Sequence, residues 1–195
     1  MMLAGARLTV TQARRKHPHC LLIACLLTLA AVAQGAEPVP FRNSRCGITF
    51  SHPSTWLLTV SHPKGSLCEL TLDPPVDRDV VAASPGSGKP CHLGKIRIRV
   101  VASSLEKLAE ESDFSRVDGV WHYRAGTVFD NGRADVIAGS GWTGVMGASS
   151  SHYCGAAQMT YDIVAGHSTR AVSIGVHADN LDVVQELLRT LTVQP

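Results

Sequence analysis

Seven residues, Lys95 to Val101 (KIRIRVV), constrain the fold more than any other stretch of this chain. Ile96, Ile98 and Val100 alternate with Lys95, Arg97 and Arg99, so an extended backbone sends the apolar side chains one way and the charges the other. Such a strand has one face on a core and one in water. That pattern fits an antiparallel sheet with a solvated face and does not fit a parallel sheet buried on both sides. A helix is expected directly after it. Ser103 with Glu106 makes a capping box before LEKLAEES, where Leu105 and Leu108 give a narrow apolar stripe.

The rest of the chain reads around that strand. Short strands are expected at 47–50, 56–60 and 67–72, then at 120–123, 133–138, 157–164 and 171–177, with a Gly/Ser-rich stretch at 139–151. Ala165-Gly166-His167-Ser168 reads as the hairpin turn between the last two strands. A closing helix, capped by Asp179 or Asn180, places Leu181, Val184, Leu188 and Leu191 on one face. Strands, helix, strands, helix is an α+β order: a mostly antiparallel β-sheet with two helices packed against it.

The chain opens with a leader. Arg7, Arg14, Arg15 and Lys16 precede an apolar run, Leu21 to Ala33, that ends in Ala31-Val32-Ala33. A basic start, a short apolar segment and a small-x-small end define a secretory signal. The run has 13 residues, short of the ~20 that a helix needs to span a bilayer. Residues 1–33 are therefore expected to be a signal peptide cleaved before Gln34, and the protein to be periplasmic or secreted. A lipoprotein anchored through Cys25, in Leu22-Ile23-Ala24-Cys25, is the alternative. It fits less well, because eight apolar residues follow that cysteine. The twin-arginine reading of Arg14-Arg15 fails on His17 and Pro18. Residues 34–45 read as a flexible lead-in, and 46–195 as a single domain with a long Pro/Gly/Ser loop at 73–94.

Removing the leader changes the charge. Of 18 Lys and Arg, four lie in it, leaving 14 against 16 Asp and Glu, a net charge of −2. Nucleic-acid binding needs a basic surface that releases counterions, so it is not expected. Four cysteines remain, Cys46, Cys68, Cys91 and Cys154. An even number in an exported chain predicts two disulfides. Three pairings exist, and Cys68–Cys91 with Cys46–Cys154 is the one expected.

Gly47-Ile48-Thr49-Phe50-Ser51-His52-Pro53-Ser54-Thr55-Trp56 resembles the opening of Mog1/PsbP-like domains: an apolar strand, a proline, then a tryptophan. The helix after Val101 and the one at 180–191 fall where that fold would put them. The resemblance implies a sandwich of antiparallel sheet and helices. It also implies a binding protein rather than an enzyme, with no catalytic residues to carry over. The loop 73–94 and the four cysteines depart from the family's pattern.

No catalytic, metal or cofactor motif is complete. Pro85-Gly86-Ser87-Gly88-Lys89-Pro90 lacks the first glycine and the hydroxyl residue of a phosphate loop. His52, His62, His92, His122, His152, His167 and His177 show no local metal-ligand spacing. Ser140 and Ser150 lie outside any nucleophile elbow. Trp142 and Met146, among glycines in WTGVMG, are the candidate partner-binding residues. The function expected is an exported, non-enzymatic module that binds another exported protein, within which an immunity or inhibitor protein against a secreted toxin or cell-wall enzyme is one reading. A small secreted serine hydrolase using Ser140 or Ser150 is the alternative.

Overall fold

The computed structural model describes residues 36–75, 80–81, 91–92, 94–124, 132–153 and 156–195. The elements run β1 (Pro38–Asn43), β2 (Ile48–Pro53), β3 (Leu57–Ser61), β4 (Cys68–Asp73), two short strands β5 (Val80–Val81) and β6 (Cys91–His92), and β7 (Ile96–Val101). Then come α1 (Leu105–Glu111), β8 (Phe114–Val117), β9 (Val120–Tyr123), β10 (Asp135–Gly139), β11 (Trp142–Tyr153), β12 (Ala156–Gly166), β13 (Ala171–His177), α2 (Leu181–Thr190) and β14 (Thr192–Val193). The leader, most of the loop 73–94 with its Gly/Lys segment, and Cys154 lie outside the described residues.

The alternating segment becomes β7, inside a seven-stranded sheet of order β10-β11-β12-β13-β7-β4-β3. Each of its neighbouring pairs is antiparallel. Ile96, Ile98 and Val100 are buried and Arg97 and Arg99 exposed, as the alternation requires. A second sheet, β1-β2-β14, and α2 cover the apolar face. Ile48 and Phe50 of β2, Leu70 and Leu72 of β4, Ile98 and Val100 of β7, and Val184 and Leu187 of α2 share one core with Trp56 and Trp142. The α+β expectation therefore holds: two α-helices against mostly antiparallel sheet.

Several local expectations need correction. Residues 38–43, read as lead-in, form β1 and pair with β2 from Pro38↔Pro53 to Asn43↔Ile48. Two prolines hid it, yet an edge strand tolerates a residue with no N–H to give. Phe114–Val117, unassigned from sequence, is β8 of a hairpin with β9. The Gly/Ser-rich stretch supplies most of the long strand β11, which pairs with β12 from Thr143↔Gly166 to Tyr153↔Ala156. The cap of α1 is Ser104, whose hydroxyl accepts from the Lys107 N–H at 3.2 Å, and Ser103 Oγ has no such partner. On α2 the fully buried positions are Val183, Val184 and Leu187, with Leu181 and Leu188 packed only partly.

The disulfide pairing is also corrected. Cys46 bonds Cys68, with Cα atoms 5.5 Å apart, so neither Cys68–Cys91 nor Cys46–Cys154 forms. Cys46 lies in the turn between β1 and β2 and Cys68 starts β4. The bond ties the small sheet to the large one, a contact between layers that loop length along the chain does not reveal. Both residues are fully buried. The C-terminal segment makes a second tie. Trp142 Nε1 donates to the Leu191 carbonyl at 2.9 Å, His167 Nε2 to that of Val193 at 2.7 Å, and Arg170 Nη1 to that of Gln194 at 2.9 Å. Gln194 N–H in turn donates to the Gly47 carbonyl at 2.8 Å. Gly47 sits at φ +64°, and a Cβ there would stand 1.9 Å from Arg170 Nη1, so the position requires glycine.

The disulfide closes a sequence separation of 22, which the chain-entropy model values at about 3 kcal/mol. Cys46→Ser or Cys68→Ser should each lower the unfolding free energy by about that amount in urea titrations, and a reducing agent should bring the unaltered protein to the same level.

Candidate functional site

The second face of the large sheet is only half covered. Over β11, β12 and β13 it is roofed by α1 and the β8–β9 hairpin. Leu105, Leu108, Phe114, Trp121 and Tyr123 bury themselves there against Val145, Val164 and Ala171. Over β3, β4 and β7 no helix or strand among the described residues covers the same face. Register places Thr59 beside Thr71 and Thr71 beside Arg97, with Ser61, Glu69 and Arg99 as the parallel row. Thr59, Ser61, Glu69, Arg97 and Arg99 are exposed. Leu57, at the end of β3, is 68% exposed, among the most open large apolar side chains described. The sequence cause is plain: these three strands alternate, so one face was never apolar enough to demand a roof.

Charges on the bare face are partly neutralised. Lys95 pairs with Asp73 at 2.7 Å, and Arg99 Nε donates to Ser66 Oγ at 3.1 Å. Arg99 also lines an open cleft of about 380 Å³ with Ser66, Ser103, Lys107 and Glu111.

Within the roofed half, Tyr123 lies across β11 and β12. Its ring occupies the space above Gly147, where a Cβ would stand 2.2 Å from Tyr123 Cγ, so Gly147 has to lack a side chain. The Tyr123 hydroxyl donates to Asp162 Oδ2. Burial, and then that carboxylate, push the phenol well above its ordinary pKa. Beside it Ser149 Oγ and Thr160 Oγ1 share a hydrogen bond of 2.8 Å.

The residues singled out from sequence are scattered. Trp142 is 4% exposed and Met146 half-buried, both packed into the main core. The Trp142 ring is thus mostly an internal strut. It does wall an open cleft of about 490 Å³, together with Glu106, Gly139, Thr143 and His167. Ser140 stands in the exposed β10–β11 turn and Ser150 is exposed on β11. Among the described residues neither hydroxyl is hydrogen-bonded to a histidine. His52, His62 and His167 each donate a ring N–H to a backbone carbonyl, of Pro53, Leu67 and Val193. Among the described residues no three His, Cys, Asp or Glu side chains gather as metal ligands, and no helix is long and apolar enough to cross a membrane. The side chains of His92 and His152 lie outside the described residues. Sequence reading passed over Tyr123 and Asp162. An aspartate inside the apolar strand TYDIVAG was the available signal, since a carboxylate there needs a partner.

No family model matches the sequence, and no curated protein does either. Solved structures are similar to it. One is a protein of Bacteroides thetaiotaomicron, 13% identical with a TM-score of 0.49; the match covers 80% of this chain and 48% of that one, so this chain spans about half its length. Another is the cyanobacterial PsbP of Synechocystis, 8% identical with a TM-score of 0.46, covering 86% of this chain and 98% of that one. A third is LpqN of Mycobacterium tuberculosis, a protein involved in cell envelope biogenesis, 11% identical with a TM-score of 0.43, covering 82% and 91%.

Two substitutions test these assignments. Tyr123→Phe should cost about 1.5–3 kcal/mol near neutral pH, the range for a hydrogen bond to a charged group. A raised phenol pKa contributes stability that is complete below the unfolded value near 10 and is lost as pH climbs above it. The gap between Tyr123→Phe and the unaltered protein should therefore narrow above about pH 10 in denaturant titrations. Trp142→Phe should cost about 1–3 kcal/mol, because it strands the buried Leu191 carbonyl.

Proposed function

We propose that this chain is an exported, non-enzymatic binding module that meets another exported protein on the bare face of β3, β4 and β7. One observation carries the reading: among the described residues nothing roofs the β3, β4 and β7 part of a large sheet face, which exposes Thr59, Ser61, Arg97 and Arg99. A rigid, partly charged sheet surface presents side chains in fixed rows, which suits recognition of a folded partner. The buried Cys46–Cys68 bond supports export, because such bonds persist in oxidising compartments. The leader at 1–33 supports the same address, periplasmic or secreted. Within this class, an immunity or inhibitor protein against a secreted toxin or cell-wall enzyme suits the small size and the clamped scaffold.

A photo-crosslinking residue placed at Thr59 or Thr71 tests the surface. In cells exporting the protein, both positions should give one discrete heavier adduct, with a crosslinker at Glu186, on the outer side of α2, as the control that gives none. Equal adducts from Glu186, or none from either threonine, would remove the bare face as the contact. A toxin or lytic enzyme encoded beside this gene would favour the immunity reading.

A further inference from the structure

Between the roofed and bare halves of the large sheet runs a trough whose walls carry opposite charge. Its floor is β13, where Gly175 pairs with Asp162 of β12 on one side and with Arg97 of β7 on the other. One step along, Ser173 pairs with Arg99. The two walls stand two strand spacings apart, about 9.5 Å at the backbone. On the acidic wall, Asp162 holds the Tyr123 hydroxyl through Oδ2. Its Oδ1 leans over the floor, 3.6 Å from where a Cβ on Gly175 would stand. Asp113, at φ +66° just past α1, lies near enough to act on the same phenol. A cavity of about 220 Å³ opens between Ser112, Asp113, Asp162, Ser173 and Gly175. On the basic wall, Arg97 is exposed and has no partner among the described residues. Asp113 and Asp162 line this cavity and Arg97 stands across β13 from it on the same sheet face, with Gly175 putting no side chain between them and no ion pair joining them among the described residues.

We propose that this trough binds a zwitterionic peptide, with its carboxylate on Arg97 and its ammonium on Asp113 and Asp162. The guanidinium presents a planar fork that takes a carboxylate bidentately. The free Asp162 oxygen and the Asp113 carboxylate accept from the ammonium. An extended dipeptide spans about 7 Å, which bridges the walls once the long Arg97 side chain reaches inward. A ligand with only one charged end leaves the opposite wall unsatisfied and binds more weakly. Arg97 also belongs to the bare face beside Thr71, but the protein contact is read by crosslinking at Thr59 and Thr71 and this site by diglycine, so either can fail without the other.

The test is an NMR titration of the purified exported protein with diglycine, N-acetylglycine and glycinamide. Diglycine should move the amide signals of Asp162, Ser173 and Gly175. N-acetylglycine and glycinamide should bind about ten-fold more weakly or worse, and Arg97→Gln and Asp113→Asn should each weaken diglycine by a similar factor. Both altered residues are exposed, and asparagine tolerates the left-handed backbone at 113, so both variants should keep the fold. No shift with diglycine up to about 20 mM, equal binding of the three probes, or unchanged affinity in both variants would overturn the proposal.

Discussion

The structure depends on how a three-stranded sheet is fastened over a seven-stranded one. Neither could stand alone in water. The small sheet has a single central strand, β2, and the large sheet has one apolar face that must be covered. Burial of that face supplies the driving force, but it is non-directional and does not set how the layers lie. Two covalent or polar ties do. Cys46–Cys68 joins the start of β2 to the start of β4. Around β14, the carbonyls of Leu191, Val193 and Gln194 each receive a side-chain donor rooted in the large sheet: Trp142, His167 and Arg170. Those donors come from β11 and the β12–β13 turn, so the last residues of the chain lock a layer begun near residue 38.

That arrangement explains what could be read from sequence and what could not. Wherever alternation was clean, as in β4 and β7, burial followed it residue by residue. Cues that act at long range failed. Pro38 and Pro40 argue against a strand locally, yet β1 exists because β2 needed a partner on that side. Trp142 among glycines read either as a partner contact or as a core residue beside tight strand bends. Its indole fills the space above Gly139 and reaches a carbonyl 49 residues away in sequence, a contact no local cue shows. The cysteine pairing failed for the same reason, because it reports contact between layers rather than spacing along the chain. Arg97 and Arg99 were legible as polar-face residues. Nothing local showed that no helix would be laid over them.

The half-roofed face links fold to function. α1 and the β8–β9 hairpin bury the apolar part of the second face around Val145 and Val164 and stop where it turns polar. The bare remainder is rigid, since its strands sit in the interior or at one edge of a seven-stranded sheet whose other side is packed. Tyr123 and Asp162 stand on the roofed side of the border, with a phenol held neutral by burial and by the carboxylate it serves. A border of this kind gives a fixed wall against which a ligand can be oriented.

Non-reducing peptide mapping of the exported protein by mass spectrometry tests the fastening most directly. It should find a linked pair of peptides containing Cys46 and Cys68. A Cys68–Cys91 link, a Cys46–Cys154 link, or free thiols at both positions would contradict the way the two sheets are held together.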